Sequence, residues 1–187
     1  TMDSIDTPEA VARFAAKYGS EKDSVQWLID ILKAAGNAGG KKTHILNVIK
    51  SFATNPESGL GFEEKEPGVF TKANASFVIE NDNVYIELNM NGTGQPILVS
   101  GHLDTRREVE YGSDGKLPMV ADAENLYAAS SQSALGADNR AGVAGLLLTA
   151  QATALKHPNH PVRIALTQEE EDGGGILFEG TYTHLMR

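Results

Sequence analysis

The sequence predicts an α/β protein with a mixed central sheet flanked by helices. Three observations carry this reading. Apolar residues recur at helical spacing through the first third. The middle switches to short β-rich runs separated by turn residues. Two unalternating apolar runs, at 97–100 and 162–166, then bracket one long helical segment. Strand, helix, strand in that order suits a parallel pair covered by its crossover helix. The 187 residues suffice for one domain with a real core and are short for two.

The elements follow in order. Thr7 is placed as an N-cap, with Pro8 in the first helical position leading into EAVARFAAKY. Ser24 is expected to cap VQWLIDILKAAG, where Val25, Leu28, Ile29 and Leu32 share a face and Gly36 ends the run. In THILNVIKSF, Ile45, Val48, Ile49 and Phe52 form one stripe, and His44 is assigned no chemistry. Three amphipathic helices covering a sheet result. NPESGLGFEEKEPG, at 55–68, reads as a loop because Asn, Pro and Gly break its periodicity. VFTKANASFVIE and VYIELNM read as strands around a hairpin turn at Asp82–Asn83. After the turn NGTGQ, PILVS reads as a strand buried on both faces. Residues 106–133 are irregular, with weak strand signals at LPMV and NLYAA. A long helix opens near Arg140, and VRIALTQ is the second buried strand.

Composition narrows the function. The formal net charge is −9, which disfavours nucleic acid and anionic membrane as partners, since both require a basic patch. There are no cysteines, so disulfides, thiolate metal sites and a cysteine nucleophile are excluded. Any metal must be held by histidine nitrogen and carboxylate oxygen. The N-terminus lacks signal-peptide character, and the longest nearly apolar stretch, at 141–155, falls short of the about 20 residues a membrane span needs. The cytoplasm is the expected compartment.

Chemistry gathers where the apolar runs end. His102 and Asp104 directly follow the first buried strand, and their i, i+2 spacing puts both side chains on one side. A metal-bound imidazole commonly donates its second N–H to a carboxylate, which suits Asp104. Asp138 precedes the long helix among small residues, in LGADNRAG. As a plain N-cap it would need no metal. Glu169, Glu170, Glu171 and Asp172 follow the second buried strand and precede three glycines. Four adjacent carboxylates repel one another, and a divalent cation would relieve them. In α/β sheets, ligands collect at the carboxyl ends of the strands.

HLDT, then GADNRAG, then TQEEEDGG resembles the dinuclear zinc peptidases of the aminopeptidase and carboxypeptidase clan. It is most similar to tripeptide aminopeptidase (peptidase T)-like proteins, where the pattern runs HxDT, LGADDKAG, TPDEExG. The resemblance covers about residues 97–175. It implies a zinc-dependent exopeptidase-like fold, here partial. It also implies His102 as a ligand of one metal and Asp104 as the residue that orients it. Asp138 would bridge two divalent ions, through a cis peptide to Asn139. Glu170 becomes the general base and Glu171 a metal ligand; a one-residue slip would give these roles to Glu169 and Glu170. Zinc is the first expectation for the two ions, and cobalt and manganese also suit these ligands. The implied reaction is hydrolysis of small peptides by a metal-activated water. Amidohydrolases of N-acyl amino acids and carboxypeptidases of the same clan share these motifs.

The chain departs from the pattern at its end. The family needs a further acidic ligand and a distant histidine, with a lid or dimerisation domain between them. The sequence to Arg187 has room for neither, and His184 is a poor stand-in. Residues 1–187 are therefore expected to form a single partial catalytic domain. Three explanations stay open: a fragment of a longer enzyme, a natural non-catalytic truncation, or a site completed by a partner chain. A sheet cut here would leave an unpaired edge, so either self-association into a homo-oligomer or poor stability of this piece alone is expected.

Overall fold

The computed structural model describes residues 1–122 and 124–172. Strand β1 is Asp3–Ser4, followed by helices α1, Pro8–Lys17, α2, Lys22–Lys33, and α3, Thr43–Thr54. Strands β2, Glu63–Glu66, β3, Val69–Lys72, β4, Ala75–Glu80, β5, Asn83–Leu88, and β6, Ile97–His102, come next. Then follow β7, Met119–Ala121, β8, Leu126–Ala128, helix α4, Ala137–Lys156, and β9, Val162–Thr167. Among the described residues the large sheet has the order β2-β3-β4-β5-β9-β6 and the small one β1-β7-β8. The mixed sheet flanked by helices is the predicted class. β5 runs antiparallel to β9, and β6 runs parallel to it, with α4 as the crossover.

Thr7 caps α1 as expected, its hydroxyl accepting from the Ala10 amide at 3.2 Å. Ser24 does not cap α2. That helix begins at Lys22 after Glu21, and the Ser24 hydroxyl donates to the Glu21 carboxylate at 2.7 Å. α2 also stops at Lys33, before Gly36. α2 and α3 bury Trp27, Ile31, Ile45, Ile49 and Phe52 against Phe70, Phe77, Val84 and Ile86 of the large sheet. α1 instead packs Val11 with Ile29 and Leu32 of α2 onto Met119 and Ala121 of the small sheet and Leu117 just before it. No helix among the described residues is long and apolar enough to cross a membrane.

Two strand expectations need correction. β2 lies inside the stretch read as a loop. Its EEKE is exposed throughout and pairs through backbone with β3, so no apolar alternation marks it. β6 is not buried on both faces. Among the described residues it is the sheet's edge, and Ile97 and Leu98 are 55% and 56% exposed. A strand with one neighbour and one covering helix does not require the apolar run that its sequence carries. β9 fits its reading: it lies between β5 and β6 and is buried from Ile164 to Thr167. The hairpin also forms, with Asn81 and Asp82 both at positive φ between β4 and β5.

Candidate metal centre

Parallel pairing brings the chemistry together. The ladder sets His102 opposite Thr167, the last residues of β6 and β9, so both chains leave the sheet at the same rim. α4 begins at that rim too. Asp138 and Asn139 are non-helical within its first turn, regular helix starts at Arg140, and the Asp138–Asn139 peptide is cis. The Asn139 side chain fills the gap between β6 and α4. A Cβ on Gly142 would lie 1.9 Å from its Oδ1, and one on Gly101 would lie 3.4 Å from its Nδ2. Small residues in the GADNRAG motif thus let the turn seat against the strand.

His102 is buried. Its Nδ1 lies 3.0 Å from the carbonyl oxygen of Asp104 and 3.5 Å from the Asp104 carboxylate. With Nδ1–H directed there, Nε2 faces the opposite side. It lies 3.3 Å from Oδ1 of Asp138 and 3.8 Å from Oε2 of Glu170. One donor atom from each of His102, Glu170 and Glu171 lies within 4.8 Å of the others, a spacing suited to a metal ion. Asp138 approaches this trio from the His102 side without being one of the three. The Asp104 carboxylate, fully buried, also accepts the backbone N–H of Glu170 at 3.2 Å and of Glu171 at 3.0 Å. One aspartate therefore braces both the histidine and the acidic turn.

The electrostatics favour positive charge among these carboxylates. The His102 pKa is raised to about 9, first by its hydrogen bond to Asp104, against the opposing effect of burial. Burial pushes the Asp104 carboxyl up, but His102 and the two backbone N–H groups overcome this and hold it below the usual range. Glu171 is raised, by desolvation and then by the nearby Asp138 and Glu170 charges. Once its proton is displaced by a metal, the imidazole with the carboxylate oxygens around it would be a hard-to-borderline donor set that fits a divalent ion. The described donors thus suit the metal that the motifs imply. His184 lies outside the described residues.

The neighbouring carboxylates are drawn away. Glu169 bonds outward: Oε1 meets Nζ of buried Lys42 at 3.0 Å, and Oε2 accepts the Gly39 N–H at 3.0 Å. Asp172 pairs with Nη2 of Arg107 at 2.8 and 2.9 Å. Only Glu170 and Glu171 of the four turn inward. Lys42 and Gly39 belong to the segment between α2 and α3, to which sequence reasoning assigns no role. That segment is tied to the site by the Ala38 N–H to the Thr105 carbonyl, 2.9 Å, and by Asn37 Nδ2 to the Val109 carbonyl, 2.9 Å. The signal was present in GNAGGKKT: two lysines after glycines, in a chain whose acidic cluster needs counter-charge. Arg140 was passed over as well. It is fully buried, with burial lowering its pKa to about 10, and it donates to the carbonyls of Leu103, Ile31 and Ala34.

Comparison with known proteins gives a family and a fold. The profile described as peptidase family M28 matches residues 83–178, about half of the chain. No curated protein matches. Among solved structures, a tripeptidase from Staphylococcus aureus subsp. aureus mu50 superposes with a TM-score of 0.54 at 18% identity. Aminopeptidase PepT from Bacillus cereus ATCC 10987 does so with a TM-score of 0.59 at 16% identity. Each covers 81% of this chain, while the chain spans 37% of the length of each. At these identities the likeness is one of fold.

Proposed function

The chain belongs to peptidase family M28, and on that premise we propose that it carries catalytic residues of a metal-dependent aminopeptidase acting on small peptides. The observation that carries this is the convergence of His102, Glu170 and Glu171 at the rim shared by β6 and β9. His102, Asp138 and Glu171 would hold the metal, and Asp104 orients His102. Two divalent ions, zinc first by the donor set, would lower the pKa of a bound water and polarise the scissile carbonyl.

The rest is work for the chain's own groups. The Glu170 side chain is about half exposed and open to a water. It accepts a proton as the water oxygen bonds to the carbonyl carbon. It then delivers that proton to the amine nitrogen as the C–N bond breaks, so it ends as it began. Asp104 holds the backbone of Glu170 and Glu171 while bracing His102, which keeps base and ligands in one frame. The placing of Glu169 against Lys42 supports Glu170 as the base over the slipped register. Tripeptides with a free N-terminus are the substrate class that the neighbours' names support.

The test uses the intact protein loaded with zinc. Release of the N-terminal residue from a leucine-containing tripeptide is expected, with loss on chelation and in His102→Ala. Release from the C-terminus or from an N-acyl amino acid instead would move the protein to another activity of the clan. Undiminished turnover in His102→Ala would overturn the site.

A further inference from the structure

Arg140 stands two residues beyond Asp138, and none of the three hydrogen bonds it makes among the described residues goes to a carboxylate. Nε donates to the Leu103 carbonyl at 2.5 Å, and Nη1 to the carbonyls of Ile31 at 2.6 Å and Ala34 at 2.8 Å. Nη2 makes no hydrogen bond among the described residues and lies against Gly36, where a Cβ would come within 2.8 Å of it. Burying a cation is costly, and an apolar side chain of similar volume commonly serves stability as well or better. Packing alone is thus a weak reason for an arginine here.

What the guanidinium joins is more telling. Leu103 is the residue between His102 and Asp104. Ile31 and Ala34 are at the end of α2, where unpaired carbonyls favour a cation. The chain from Ala34 leads directly to Gly39 and Lys42, which hold Glu169. One planar fork thus connects the start of α4, the end of β6 and the segment that anchors the acidic turn. The guanidinium presents its donors in a fixed planar fork, which lets one side chain span all three carbonyls.

We propose that Arg140 is the positioning residue of this metal centre, setting His102 and Asp138 face to face by clamping the Leu103 carbonyl to the first turn of α4. The inference rests on the metal-site reading above. The test compares Arg140→Gln and Arg140→Met with the parent in the intact protein. Zinc affinity is measured calorimetrically well below the unfolding temperature, and the visible spectrum of the cobalt-loaded protein reports ligand geometry. Loss of an orienting partner typically weakens metal binding about 10- to 100-fold. Arg140→Gln is expected to fall in that range, with a changed cobalt spectrum and a loss in kcat larger than any change in KM. If Arg140→Met fails to fold, Arg140→Gln decides. An Arg140→Gln protein that unfolds earlier, yet binds zinc within about two-fold of the parent with an unchanged cobalt spectrum, overturns the positioning role alone. A parent protein that takes up no zinc, or a His102→Ala variant that takes up as much, overturns the site reading and this inference with it.

Discussion

Three adjacent glutamates have the same chemistry and different neighbours. Glu169 is engaged by Lys42 and the Gly39 N–H, while Glu170 and Glu171 converge with His102. Glu170→Gln should therefore cost about 10²–10⁴ in turnover, the usual range for a lost general base, with zinc uptake retained in an equilibrium dialysis. Glu169→Gln should act on folding. It leaves Lys42, with a side chain only 4% exposed, lacking its counter-charge. Its melting temperature should drop while kcat stays within about ten-fold of the parent, since the lost pair is structural. The opposite pattern, with Glu169→Gln inactive and stable, would move the base one residue upstream. Nothing in EEE itself separates these positions. The distinguishing partner, Lys42, is more than a hundred residues away, and a motif read along the chain carries no information about it.

At the level of elements, helix α4 offers an internal comparison. Gly142 and Gly145 both lie within it, and alanine at either gains about 1 kcal/mol of helix propensity. Gly145 has nothing within 4 Å of an added Cβ, so Gly145→Ala should stabilise the protein by about that amount. Gly142→Ala should destabilise it, because its Cβ would displace the Asn139 amide that packs between Gly101 and the helix. Denaturant unfolding of both variants checks the pair; equal and positive shifts would show that the Asn139 side chain moves aside freely. The succession β6, α4, β9 was legible because a crossover needs long apolar periodicity between two short apolar runs, and the sequence supplies all three. The exposure of β6 was not. An apolar run records that a strand can be buried on two sides, and its neighbours decide whether it is. β2 escaped notice for the converse reason: backbone pairing holds it, and backbone pairing leaves no trace in EEKE.

For the molecule as a whole, the candidate centre exists only when distant segments meet. The Gly39 N–H and the Glu169 carboxylate are 130 positions apart, and His102 and Asp138 are 36 apart. An unfolded chain has no such arrangement, so metal affinity adds to folding stability. With free zinc at 100 times its Kd, the added stability is about 2.7 kcal/mol. For a chain of this size that corresponds to a rise of about 5–10 °C in melting temperature. Calorimetric scans with zinc and with a chelator should show this difference in the parent. The gap should close in His102→Ala, which removes the central donor and leaves Asp138, Glu170 and Glu171 to repel one another. A parent whose melting temperature ignores zinc would mean that the folded chain does not present these groups as one site. A His102→Ala variant that responds as the parent does would mean that the acidic turn binds metal by itself, and that the convergence of β6 with β9 is not what creates the affinity.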